Sequence, residues 1–188
     1  MVKVIITSLF LGIGLAMDAC AVSMANGLKE SNMKIRKSLF IATMFGIFQG
    51  MMPLMGYLVG SQLLTKIEWI IPWVALGILG ILGIKMIIDG VKGEEDSDSK
   101  ELTIKIILIQ AIATSIDALS VGFIISDYTL IEALVCTGMV AIITFIICFG
   151  AIFIGKKFGD KFGSKAVIIG GIILILIGLE IFISGMFF

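Results

Sequence analysis

Six apolar runs dominate the chain, and each is long enough for a helix that crosses a bilayer. They fall at residues 4–26, 38–62, 69–90, 103–126, 130–155 and 166–188. A helix spanning the hydrocarbon core needs about 20 mostly apolar residues. Lipid offers no hydrogen bonds, so the backbone must satisfy itself, and runs of this length do so as helices. A soluble fold could not hide them. Hydrophobic residues make up 59% of the 188 and charged residues 15%, where an ordinary globular chain carries about 25% charged. The predicted class is an all-α integral membrane protein with six transmembrane helices. The connections are short, so residues 1–188 read as a single transmembrane domain with the lipid bilayer as its main partner. No nucleic-acid partner is expected. A cleaved signal peptide is not expected either, because Asp18 interrupts the stretch where its apolar region would lie.

The basic residues set an orientation. Lys29, Lys34, Arg36, Lys37, Lys92, Lys100, Lys105, Lys156, Lys157, Lys161 and Lys165 fall in or beside the connections near 27–38, 91–105 and 156–165. The opposite side holds Lys3 and Lys66, and Lys85 lies within a span. Eleven against two predicts that the three basic connections are cytoplasmic. Six spans then place both termini outside. The acidic run Glu94, Glu95, Asp96 and Asp98 contributes little to orientation and marks a cytoplasmic linker at about 93–100.

The chain also repeats itself. LAMDACAVSMANG at 15–27 aligns with TSIDALSVGFIIS at 114–126, placing Asp18 on Asp117, Ala19 on Ala118 and Val22 on Val121, an offset of 99. At an offset of 95, Met44 falls on Met139, Ile47 on Ile142, Gly60 on Gly155, Gly83 on Gly178, Lys85 on Glu180 and Gly90 on Gly185. This predicts a duplicated three-helix unit, repeat one at about 1–92 and repeat two at about 101–188. Three is odd, so the second unit enters the membrane from the opposite side. That is the inverted repeat of many secondary transporters, whose substrates bind between the repeats near the midplane.

Asp18 and Asp117 carry the chemistry. Each lies deep in a span, where a carboxylate costs about 2.5–3.5 kcal/mol on the insertion scale. Lys85 is the basic residue within a span, and it can snorkel to the interface. At least one of the two carboxylates is therefore left for a cation or a proton. Thr114 and Ser120 stand three residues either side of Asp117, and Gln110 seven before it, on one face of a helix. Leu11, Leu15 and Ala21 hold the equivalent places around Asp18. Gln49 precedes Pro53 by one turn, and the proline frees a carbonyl there. Glu180 lies in the last span as a proton or cation way-station, or as a carboxylate wetted at the interface. Oxygen donors without a single histidine suit manganese, magnesium or calcium, and suit zinc and copper poorly. Met17 and Met24 are read as apolar filler near Asp18. Cys20, Cys136 and Cys148 lie within apolar runs without CxxC spacing. They are read as small buried residues and not as redox or metal centres.

GLAMDACAVSMANG at 14–27, MPLMGYLVG at 52–60 and IATSIDALSVG at 112–122 resemble the MntP-type manganese efflux pumps, six-span bacterial proteins of the lysine-exporter superfamily. The resemblance runs the whole length. It implies export of Mn²⁺ from the cytoplasm, across the inner membrane of a bacterial cell, with the Asp18 and Asp117 motifs at the transport site. Manganese is then the transported substrate and no cofactor is implied. Proton antiport is the coupling the resemblance suggests. Some members carry an acidic residue at the place of Gln49, a departure that bears on the ligand count. Competing classes are an exporter of another hard cation or a small organic solute, a membrane redox enzyme, and a non-transport structural membrane protein. The redox enzyme lacks paired cysteines, histidines and a nucleotide motif, and the deep aspartates argue against a structural role alone.

Overall fold

A computed structural model describes residues 2–59, 71–92, 102–125, 127–162 and 164–187. Among the described residues every regular element is helical: α1 (Val2–Lys29), α2 (Ile35–Val59), α3 (Ile71–Lys92), α4 (Ile104–Ala113), α5 (Ile116–Ile124), α6 (Leu130–Phe162) and α7 (Ser164–Phe187). The acidic linker at 93–100, Lys66 and Gly60 lie outside the described residues.

The stretches Val4–Lys29, Ile35–Leu58, Ile104–Gly122 and Leu130–Gly159 are long and apolar enough to cross a membrane. The shortest has 19 residues, which at ~1.5 Å per residue matches a core of about 30 Å. Large apolar side chains face outward along them: Phe10 is 70% exposed, Leu58 66% and Ile131 70%. Such a surface suits lipid and not water.

Most helix ends fall within three residues of the sequence expectation, and two places differ by more. The fourth span, predicted as one helix over 103–126, breaks at Thr114–Ser115 into α4 and α5. The fifth runs on to Phe162, so Lys156, Lys157 and Lys161 ride on a helix and not in a loop. Two local hydrogen bonds favour the break. The Thr114 hydroxyl donates back to the Gln110 carbonyl at 3.0 Å, and the Ser115 hydroxyl to the Ala111 carbonyl at 2.7 Å. Two successive side-chain bonds four residues back compete with the helix ladder and bend it. The Ser115 N–H turns to the Ile112 carbonyl at 3.1 Å, tightening the last turn of α4.

Helices pack by backbone approach. A Cβ on Gly155 of α6 would fall on the Met24 carbonyl of α1, and one on Gly122 of α5 would lie 2.5 Å from the Pro53 carbonyl and the Tyr57 nitrogen of α2. Only a residue without a Cβ lets these pairs meet, as small residues do throughout membrane helix packing. Pro53 sits inside α2, which nevertheless runs unbroken from Ile35 to Val59.

The direction of each helix follows from its contacts. Asn26 of α1 meets Gln110 of α4, while Leu11 of α1 packs against the cluster that Ile125 forms with Ala133 and Cys136. The α1 helix therefore runs antiparallel to α4–α5. Gly46 meets Phe145 and Gly50 meets Thr137, so α2 and α6 are antiparallel. Gly83 meets Ile175 and Gly90 meets Ser164, so α3 and α7 are antiparallel as well. The main buried cluster lies between these rods, around Val22, Ile41, Phe45, Leu79, Met86, Ile107, Ile152 and Leu174.

Candidate functional site

Gln49 is the hub of the polar interior. Its side chain is fully buried, and its Nε2 donates to the Leu15 carbonyl and to the Thr114 carbonyl, each at 2.9 Å. One amide thus ties α2 to α1 and to the break between α4 and α5. The Thr114 carbonyl is available because the helix ladder lapses there. Its ordinary partner, the Ala118 N–H, donates instead to Asp117 Oδ1 at 2.8 Å. Asp117 sits in the first turn of α5, where a carboxylate answers both the free N–H groups and the helix dipole. The break, the cap and the Gln49 bridge therefore depend on one another.

Asp18 stands three residues after Leu15, and Asp117 three after Thr114. The two carboxylates are within electrostatic reach of each other, and Asp18 is within reach of Glu180. Neither aspartate is closed off: Asp18 is half-buried and Asp117 is exposed at its surface. Neither forms a salt bridge among the described residues. Asp18 lies eight residues before Asn26, and Asp117 seven after Gln110. Those intervals are about 12 and about 10 Å of helix rise from one shared amide pair, so the two aspartates stand at similar depth.

The other residues singled out in the sequence part company. Thr114 is buried, with its hydroxyl turned back to α4. Ser120 is exposed on α5, one turn beyond Asp117. Gln110 is fully buried and directed at Asn26: Asn26 Nδ2 donates to Gln110 Oε1 at 2.8 Å, and Gln110 Nε2 donates to Asn26 Oδ1 at 3.1 Å. Glu180 is exposed on α7. Lys85 is exposed and lines a cavity of about 230 Å³ with Ile81, Leu82, Ile106, Ile109 and Gln110. The three cysteines are free thiols.

Two residues escaped the sequence reading. Asn26 lies inside the first motif, and its being an amide in an apolar run was the available signal. Thr144 of α6 is fully buried, and its hydroxyl, like Gln49 Oε1, finds no hydrogen-bond partner. At the offset of 95, Gln49 falls on Thr144. Among the described residues the Ser23 and Ser38 hydroxyls are unpartnered as well, in an interior where buried polar atoms are nearly always paired.

Among the described residues no three His, Cys, Asp or Glu side chains come together as a metal cage. A cation here would draw on the two aspartates and on neutral amide, hydroxyl or carbonyl oxygens. That donor set suits a hard divalent ion that keeps part of its water.

Residues 32–182 match the family described as "Mntp: Putative manganese efflux pump". The chain belongs to the MntP family. Family relatives resemble it along nearly its whole length. The MntP protein of Ruminiclostridium cellulolyticum is 43% identical over 182 residues, covering 96% of each chain. That of Campylobacter hominis is 42% identical over 176 residues, 94% of this chain and 96% of its own. MntP 2 of Clostridium botulinum is 41% identical over 193 residues, 96% of this chain and 94% of its own. All three carry the name "Putative manganese efflux pump". No solved structure matches the chain. Membership makes this a multi-pass membrane protein of a transporter family and not of an enzyme family.

Proposed function

We propose that this protein exports Mn²⁺ from the cytoplasm, with Asp18 and Asp117 holding the ion between two inverted three-helix repeats. The observation that carries this is the Gln49 bridge. One buried amide fastens the turn before Asp18 to the turn before Asp117. Two carboxylates without a salt-bridge partner are thereby held in reach of each other, an arrangement that repels itself until a cation or protons neutralise it. The unpartnered Gln49 Oε1, on the side chain that bridges the turns before the two aspartates, is the neutral oxygen we assign to such a site. The absence of histidine from the sequence favours manganese over zinc and copper.

The packing supports the inverted repeat. Each helix runs antiparallel to its sequence equivalent: α1 to α4–α5, α2 to α6, and α3 to α7. Two of the heterologous contacts also exchange as a two-fold would require. The α1 helix packs on α6 as α5 packs on α2, and α1 touches α7 as α4 touches α3. Six spans, the basic connections inside and both termini outside complete the topology. Proton antiport is the coupling we favour: the aspartates take up protons after Mn²⁺ leaves and release them when it binds.

The experiment is efflux from cells of a manganese-sensitive strain, followed by the metal content of the cells. The wild-type gene should lower cellular manganese and leave zinc and copper unchanged. Zinc or copper accumulating on loss of the gene, with manganese unchanged, would overturn the assignment.

A further inference from the structure

We propose that Asn26 and Gln110 are the cytoplasmic gate of the ion path, closed here by their reciprocal amide pair, and that the Leu11–Ile125 cluster is the outer barrier. This rests on the transport reading above. The positions are paired by the duplication: at an offset of 99, Leu11 falls on Gln110 and Asn26 on Ile125. The structure groups the same four residues two by two on opposite sides of the aspartates. Asn26 and Gln110 exchange two hydrogen bonds at 2.8 and 3.1 Å, both side chains fully buried. Leu11 packs against the cluster containing Ile125, which is 1% exposed. Each pair stands roughly 10–12 Å of helix rise from the carboxylates.

The two barriers have opposite chemistry. A closed amide pair satisfies itself, and when parted it presents two donor groups and two acceptor oxygens to water or to a hydrated cation. An apolar constriction presents nothing and blocks by excluding water. The cytoplasmic side can thus wet and admit a partly hydrated ion at each opening, while the outer side stays dry until the helices separate. Gln110 also borders the open apolar groove of about 230 Å³ between α3 and α4. A pair serving only as a brace would tolerate a matched apolar replacement, because removing both partners leaves nothing unsatisfied.

The test is Asn26→Leu/Gln110→Leu in proteoliposomes, with Mn²⁺ as the probe. Flux should fall at least tenfold, while equilibrium Mn²⁺ binding and the unfolding temperature stay at the wild-type values. Unchanged flux would make the pair a brace, and lost Mn²⁺ binding would make it a ligand set; either result overturns the gate. A second measurement does not depend on the leucine variant folding. In a background carrying Cys20→Ala, Cys136→Ala and Cys148→Ala, Asn26→Cys is labelled with a charged thiol reagent from the cytoplasmic side. The labelling rate should differ at least fivefold with and without saturating Mn²⁺, and equal rates would refute a moving gate. Wild-type vesicles without Mn²⁺ flux would sink the transport reading itself, whereas flux surviving in the leucine variant sinks only the gate.

Discussion

The carbonyl oxygens of Leu15 and Thr114 accept from the same nitrogen, Gln49 Nε2, at 2.9 Å each. They occupy the same place in the two copies of the motif, three residues ahead of Asp18 and Asp117. One side chain from the second helix thus joins the turns that precede the two aspartates, and it does so where α4 and α5 part at Thr114.

Replacing Gln49 should therefore loosen the site before it changes the ion. Gln49→Leu leaves the Thr114 carbonyl, which has no ladder partner at the break, without a donor, at about 1–3 kcal/mol for an unsatisfied buried group, and takes the second donor from the Leu15 carbonyl. We expect a lower unfolding temperature in detergent and at least a tenfold loss of Mn²⁺ flux. Gln49→Asn is one methylene shorter and should retain one of the two bonds, with an intermediate loss in both measurements. A Gln49→Leu protein as stable and active as wild type would show that the bridge holds nothing together.

Asp18→Asn and Asp117→Asn keep shape and remove charge. Each should abolish manganese efflux, read as metal retained by the cells, while leaving the amount of protein in the membrane unchanged. Loss in both variants fits one ion shared by the pair, which their similar depth favours. If one variant exports normally, the shared site fails and two successive stations remain. Normal export in both would remove the aspartates from the path altogether.

The glycines should divide sharply. A Cβ at Gly122 meets the Pro53 carbonyl and the Tyr57 nitrogen at 2.5 Å, whereas one at Gly138 meets nothing within 4 Å. Gly122→Ala must push α2 and α5 apart and should lower the unfolding temperature or prevent accumulation in the membrane. Gly138→Ala should be neutral or stabilising by up to about 1 kcal/mol, the helix-propensity difference between the two residues. Equal effects at the two positions would count against the close α2–α5 crossing.

Topology can be checked from outside the cell. Asn32 lies in the turn between α1 and α2, and Lys157 near the end of α6, and both are exposed. In a cysteine-free background, Asn32→Cys and Lys157→Cys should resist an impermeant thiol reagent added outside and react after the membrane is opened. Reaction of both in sealed cells would reverse the orientation.

Much of this protein was legible in its residues alone. Apolar runs of about 20 residues admit only helices in lipid, so the helical membrane class followed from length and composition. The two deep aspartates and the likeness of the motifs around them were readable in the string itself. Tertiary structure decided what those residues do to one another. Nothing in the string TSID announces that Thr114 and Ser115 turn their hydroxyls back onto α4 and part the helix, because the same residues sit in unbroken helices when no neighbour takes the freed groups. Gln49 takes one of them, from 65 residues away, and that long-range bond is invisible to any local pattern. Asn26 likewise reads as an ordinary polar residue until Gln110 is found beside it, 84 residues along the chain. Burial costs are local and visible in a sequence; hydrogen-bond partners that repay them are set by how the helices cross.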